Sequence, residues 1–312
     1  MKSNITPIGL GASISASWAW GTSLIVGMEV ARTKGIDAWL IWAIANTATL
    51  AIFGLLTRVG VLGRKVFDLK PIKMLALVIQ AFCLVIQMTI INRVLTDMGL
   101  DSTTSYMVSS SIGIIFTLWM YRRGLVTSVI TDRWQWGIAI ASISVISLLG
   151  VTTSTPLVFD TSGTEDILWG IWSACILISG PITDVQHWQR ADIDKTKTAF
   201  FWGSLFFSVY MLLVLACALF QFTPLMNVFL LIAVLSVTTS TIDSIAVAMH
   251  EISNKTIGTI ICCAICLLWG VFAEIGIVSL WSHAGIFRVA FGLLILTIAF
   301  LGYYKNGKFI RQ

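Results

Sequence analysis

The sequence predicts an all-α membrane protein with ten membrane-spanning helices in two groups of five, and three observations carry that prediction. The 312 residues are 57% hydrophobic and 11% charged, with a mean hydropathy of +0.91, a balance foreign to a water-soluble domain. Apolar stretches long enough to cross about 30 Å of hydrocarbon recur along the whole chain. Polar, glycine-bearing or proline-bearing interruptions fall inside the first and the sixth of these stretches.

Taken in order, the stretches cover residues 8–31, 36–56, 72–95, 103–121 and 126–150, then 166–184, 197–221, 225–251, 256–275 and 284–303. The polar run 151–165 divides them. The expected organisation is a five-helix repeat over 1–150, a connecting loop on the extracellular or periplasmic side over 151–165, and a second five-helix repeat over 166–312. An odd number of spans per repeat inverts the second repeat relative to the first. Arg58, Arg64, Lys65, Lys70 and Lys73, the pair Arg122 and Arg123, and the tail residues Lys305, Lys308 and Arg311 all fall on one predicted side. Asp97, Asp101, Asp160, Glu165 and Asp166 fall on the other, so positive-inside counting puts both termini in the cytoplasm.

The net charge of +5 reads as this topological bias and is too small to suggest a nucleic-acid partner. The start of the chain lacks the pattern of a cleaved signal peptide. Cys83, Cys175, Cys217, Cys262, Cys263 and Cys266 lie in apolar runs without metal-ligand or disulfide spacing, and small-residue core packing is expected of them. His187, His250 and His283 sit at segment ends, far apart and without a nucleophile pattern; they read as loop or interfacial residues, and an enzyme is not expected.

The most polar piece of an apolar run is Val237 to Ser244, Val-Thr-Thr-Ser-Thr-Ile-Asp-Ser. Such side chains must face protein, water or an ion. On a helix Ser240 and Thr241 lie three and four residues past Val237, so both hydroxyls approach its carbonyl. Three converging uncharged oxygens suit a hard cation of low charge, sodium above all; the other reading is that these hydroxyls bond back to their own helix. The first stretch carries Ser13, Ser15, Ser17, Trp18, Trp20, Gly21, Thr22 and Ser23 in its middle, and the sixth carries Ser179, Gly180, Pro181 and Thr183. Proline in a helix interior removes a hydrogen bond and crowds the preceding turn. Both segments are therefore expected to break near the midplane, freeing carbonyls and half-helix ends for a ligand; an ordinary proline kink and a small-residue packing face are the alternative.

Four motifs together resemble the sodium:solute symporter family. Ala16-Ser-Trp-Ala-Trp-Gly-Thr, followed by Gly35, looks like its first core helix, most like the urea-transporter branch. Gly124-Leu125 followed by Thr131-Asp132-Arg133-Trp134-Gln135 resembles its fifth-helix signature. Asp184-Val-Gln-His-Trp188-Gln189-Arg190-Ala191 is similar to the run after its broken sixth helix, and Ser240-Thr241-Ile242-Asp243-Ser244 to its eighth-helix motif.

The resemblance implies the leucine-transporter-type fold, a 5+5 inverted repeat with helices one and six broken, and sodium-coupled import of a small polar solute by alternating access. It implies a sodium site of the Ala16, Ala19 and Val237 carbonyls with the Ser240 and Thr241 hydroxyls, and Asp132 beside the ion; otherwise Asp132 is an acid balancing Arg133. Asp184 and Asp243 are expected to be structural. The solute site is expected near Trp18, Trp20, Gly21, Ser23, Leu177, Gly180 and Pro181; Leu177, Gly180 and Pro181 differ from the polar residues of sugar-transporting relatives, and the likeness to the urea-transporter branch implies urea or another small amide or amine, while Trp18 and Trp20 are equally readable as a helix interface or interfacial anchors. Glu29 and Glu274 are further candidates for solute contact. The expected partners are the solute, Na+ and the lipid bilayer, with no nucleic acid. The chain reads as a compact, core-only version in a bacterial or virus-encoded inner or plasma membrane. A non-coupled facilitator, or a non-transporting sensor or assembly protein, on the same fold is the alternative.

Overall fold

Local helix signals set most element boundaries. A computed structural model describes residues 5–153, 155–194, 196–272 and 275–306, and all regular structure among them is helical. Helix α1 (Pro7–Trp18) starts where Thr6 accepts a bond from the Gly9 amide at 3.1 Å and Pro7 presets the first turn. Helix α2 (Gly21–Thr33) follows after a break, and α3 (Gly35–Arg58) after a tight turn at Lys34. Gly35 has φ +81, and a Cβ there would meet the Asp160 carbonyl oxygen at 2.6 Å, so the turn needs glycine on both counts.

A 3-10 turn (Arg64–Asp68) leads into α4 (Lys70–Asp97). Asp101 caps α5 (Ser102–Tyr121) by accepting from the Thr104 amide at 3.0 Å, and hydrogen bonding from Thr104 holds the Asp101 carboxyl below its usual range. Then come α6 (Leu125–Thr153), α7 (Thr164–Thr183), α8 (Val185–Ile193) and α9 (Ala199–Ala218). Thr223 and Pro224 open α10 (Pro224–Ile252), Asn254 opens α11 (Lys255–Leu268), and α12 (Ile277–Asn306) ends the described chain.

Eight helices among the described residues are long and apolar enough to cross a membrane, which makes this an integral, multi-pass, all-α protein. They answer to eight of the ten predicted stretches. The first stretch is instead divided into helices of 12 and 13 residues. The stretch 103–121 forms α5, 20 residues rich in Ser and Thr, of which Ser105, Ser109, Ser110 and Thr117 point into the protein.

Residues 155–163 are non-helical and pinned to the α2–α3 turn. The Ile36 amide donates to the Asp160 carbonyl at 3.2 Å, Ser162 Oγ to the Lys34 carbonyl at 2.6 Å, and Lys34 Nζ lies 3.0 Å from Asp166 Oδ1. Arg32 closes the end of α9 by donating to the carbonyls of Ala218 and Phe220 at 2.9 and 2.5 Å.

Of the two expected interruptions the first is present and the second is not found at Gly180 and Pro181. After α1 the ladder stops at Ala19, whose amide reaches Ser15; Trp20 has φ −15 and ψ 151, and the Gly21 amide turns to Gln87 Oε1 at 3.2 Å. Helix α7, in contrast, runs straight through Gly180 and Pro181 and breaks only at Asp184, φ −93 and ψ 107. Pro181 lacks the amide that would serve the Leu177 carbonyl, and the Thr49 hydroxyl of α3 donates to that carbonyl at 2.9 Å. Outside help thus lets the helix tolerate its proline.

Thr49→Val should therefore cost about 1–3 kcal/mol by orphaning a buried carbonyl. In a Pro181→Ala background, where the helix amide returns, the same change should cost clearly less. Denaturation midpoints of the four proteins in detergent check this double-mutant cycle.

Candidate ion and solute site

Two of the sequence motifs interlock along the antiparallel contact of α6 and α10. Residues 128, 131, 132 and 135 share one face of α6 by helical spacing, and 239, 240, 243 and 244 face them. Thr131 Oγ1 donates to Asp243 Oδ2 at 3.3 Å, Ser240 Oγ to Asp132 Oδ1 at 2.7 Å, and Gln135 Nε2 to Thr239 Oγ1 at 3.0 Å, while the Ser128 and Ser244 hydroxyls lie 3.5 Å apart. Asp243 thus ties α10 to α6 through its Oδ2.

Asp132 is the centre of this polar seam, and its partner is Arg190 rather than Arg133. Both side chains are 0% exposed. Arg190 Nη2 lies 2.6 Å from Asp132 Oδ2 and 2.8 Å from Ser244 Oγ; its Nε donates to Ser13 Oγ at 3.0 Å and its Nη1 to the Gln186 carbonyl at 3.0 Å. Ser13 in turn donates to Asp132 Oδ2 at 2.5 Å. One ion pair thereby joins α1, α6, α8 and α10. Such a pair is tolerable out of water only because the remaining donors and acceptors are also satisfied.

The expected sodium ligands are all buried, Ala16 1% exposed and Ala19, Val237, Ser240 and Thr241 0% exposed, and Ser240 is the one of them bonded to the pair. Thr241 Oγ1 donates back to the Val237 carbonyl at 3.0 Å, the local bond read as the alternative from sequence, and Ser240 donates to Asp132. Both hydroxyl protons are therefore committed and both oxygens keep lone pairs to offer a cation. The Ala19 carbonyl, outside the helix ladder, is approached by Tyr210 Oη at 3.4 Å.

A second buried pair marks the other break. Arg288 of α12, 4% exposed, lies 2.5 Å from Asp184 Oδ2, with its guanidinium 4.4 Å above the Trp20 ring. Trp18, Trp20, Ser23 and Leu177 line one small cavity together with Trp42, Asn46, Trp281 and Arg288. At about 20 Å³ it has room for a water and not for a solute.

The other expected solute residues stand back from it. Gly21 packs on Ile90 and Thr238, and Gly180 lies directly under the Trp18 ring, where a Cβ would meet Cη2 at 2.3 Å. Pro181 is buried without lining the cavity, because the break lies at Asp184. Glu29 is exposed, and Glu274 lies outside the described residues.

Two sequence expectations are corrected. His187 is not a loop residue: α8 turns into the protein after Asp184, leaving His187 0% exposed against Trp18, Phe53 and Phe200. His250 is half-buried, bonded to Thr259, and His283 is exposed. Cys175 also departs from core packing, facing outward, whereas Cys83, Cys217, Cys262 and Cys266 are buried and Cys263 half-buried.

Sequence reasoning assigned no role to Arg190, Arg288, Asn46, Trp42 or Trp281. A signal existed for two of them: Asn46 and Arg288 are strongly polar residues inside the apolar stretches 36–56 and 284–303, where polarity marks a buried partner or a pathway.

No family model matches the sequence, and no curated protein does. Among solved structures the chain is similar to a manganese transporter of Eremococcus coleocola, crystallised with an aromatic bis-isothiourea substituted compound: 14% identity and a TM-score of 0.38, with 97% of this chain and 72% of that chain covered. At that level of likeness neither fold nor function passes from one protein to the other.

Arg190→Met alone should destabilise the protein by about 3–5 kcal/mol by stranding the Asp132 carboxylate. Arg190→Met with Asp132→Asn should be markedly milder than the single change, which chemical denaturation of the purified variants checks.

Proposed function

We propose that the protein is a secondary transporter of the leucine-transporter type that imports a small polar solute together with sodium by alternating access. In this reading the ten stretches form a 5+5 inverted repeat, α1–α2 and α7–α8 are the broken first helices of the two halves, and both termini are cytoplasmic. One observation carries it: the break between α1 and α2 borders a tryptophan-lined cavity that Leu177 of α7 also lines, and Arg288 in its wall is paired with Asp184, where α7 ends. Non-helical backbone deep in a membrane protein is tolerated where it is buried in protein or lines a cavity, and paired breaks of this kind form the binding sites of transporters.

Sodium is assigned to the Ala16, Ala19 and Val237 carbonyls with the Ser240 and Thr241 hydroxyls, beside Asp132. The committed hydroxyl protons support that assignment, since they turn oxygen lone pairs toward a cation. Bound there, the ion would tie α1 to α10 and favour the state in which the solute site is complete. Solute and ion would then raise each other's affinity by the same factor. An inside-negative potential adds about 2.3 kcal/mol per charge per 100 mV to drive accumulation.

A second reading, a facilitator without ion coupling, is favoured by Arg190. Its guanidinium already neutralises Asp132, so the carboxylate has less attraction left for a second cation.

Thermal unfolding in sodium, lithium, potassium and choline chloride at fixed ionic strength separates the two. Coupling predicts a sodium-selective rise, about 2.7 kcal/mol at a hundredfold excess over Kd, which Ser240→Ala with Thr241→Ala abolishes. Equal stability in all four salts would select the facilitator.

A further inference from the structure

The seam between α4 and α12 holds a groove that the protein's own side chains leave open. Leu75, Val78 and Ile79 of α4 line it with Phe287, Ala290 and Leu294 of α12, around about 180 Å³. Leu75, Val78, Phe287 and Leu294 are 41%, 45%, 57% and 41% exposed, so the groove opens on the outer surface of the bundle. In a membrane-spanning protein that surface meets acyl chains rather than water.

The two ends of the groove differ. At one, the rings of Phe82 and Phe287 stack with centroids 5.9 Å apart and planes 16° apart. Phe82 already belongs to the inner pocket beside Cys83 and Arg288, so the stack separates the groove from the interior. At the other, Phe67 of the 3-10 turn meets Phe291 of the groove wall nearly at right angles, 6.5 Å between centroids. That turn and the start of α4 carry Lys65, Lys70 and Lys73 against a single acid, Asp68. Leu75 stands only about 7.5 Å along the helix from Lys70. None of the three ammonium groups is ion-paired or hydrogen-bonded among the described side chains, whereas Arg64 in the same turn is engaged by Asp192 and Glu251.

We infer that the groove is a binding site for an anionic phospholipid of the leaflet on the Lys70 side. One acyl chain lies between α4 and α12 with its end toward the Phe82–Phe287 stack, and the phosphate-bearing headgroup lies over Lys65, Lys70 and Lys73. Basic clusters at the ends of spanning helices attract anionic headgroups, and the chain adds the apolar area it covers. A free anion would make no use of the apolar walls, and a lipid of zero net charge would gain little from the lysines. The inference rests on the membrane-spanning character of the protein and is independent of the transport reading.

The test is lipid retention by the purified full chain, read by native mass spectrometry after exchange into phosphatidylglycerol or phosphatidylcholine with identical acyl chains. Phosphatidylglycerol should be retained about tenfold or more over phosphatidylcholine, as expected for two or more cations at an anionic headgroup. Ala290→Trp, which places an indole in the groove, should reduce that retention about fivefold or more, and Leu212→Trp, at a 65% exposed site on α9, should leave it unchanged. Lys65→Gln with Lys70→Gln and Lys73→Gln should abolish the preference between the two lipids. These positions are exposed, apart from the half-buried Lys73, and unchanged melting midpoints in detergent confirm that the variants fold. Equal retention of both lipids by the parent, retention indifferent to Ala290→Trp, an equal loss in Leu212→Trp, or glycerol phosphate bound as tightly as the lipid would overturn the inference. So would a dimer that retains no lipid and that Ala290→Trp dissociates, since the occupant would then be a second copy of the chain.

Discussion

A carboxylate and a guanidinium taken wholly out of solvent fix how four helices meet. Asp132 on α6 and Arg190 on α8 must find each other, because either charge alone in this interior would be prohibitive. Their spare hydrogen-bonding capacity then demands Ser13 from α1 and Ser240 and Ser244 from α10. Apolar packing alone would let these helices slide by a turn at small cost. The ion pair does not, since a shift of one turn would leave a buried charge without its partner.

The same pair explains why α8 lies where it does. After Asp184 the chain leaves the α7 direction and runs as a nine-residue helix with nearly every side chain buried. Arg190 holds it toward α6. Gln189 ties it to α10 through Glu251 at 2.8 Å, and Trp188 Nε1 returns to the Ile182 carbonyl at 2.9 Å. At the break itself, Asp184 is met by Arg288 from α12, and that guanidinium covers Trp20 at the other break. Each of these turns is thus closed by side chains from elsewhere in the chain.

The Arg288–Asp184 pair also decides the electrostatic character of the cavity beside the α1–α2 break. It balances its own charge, so the wall that Arg288 lines is polar through amide, indole and hydroxyl groups rather than through net charge.

The sequence by itself determined the environment, the helices and most of the seam. Hydropathy and length set the membrane helices, because the cost of exposing backbone in hydrocarbon leaves little else to form. Thr6, Asp101, Thr223 and Asn254 announce helix starts by local hydrogen bonds that need no tertiary partner. Residues 237–244 were readable as important because polar side chains in an apolar run must face something, and residues 131–135 through their resemblance to a family motif. What they face was decided only in three dimensions. Asp132 has Arg133 beside it in sequence and Arg190 beside it in space; Pro181 looks like a break and is absorbed by Thr49; His187 looks like a loop residue and is buried by the turn at Asp184. Each of these outcomes depends on a partner tens to more than a hundred residues away, and local composition contains no record of which distant side chain will arrive to share a buried charge or an orphaned carbonyl.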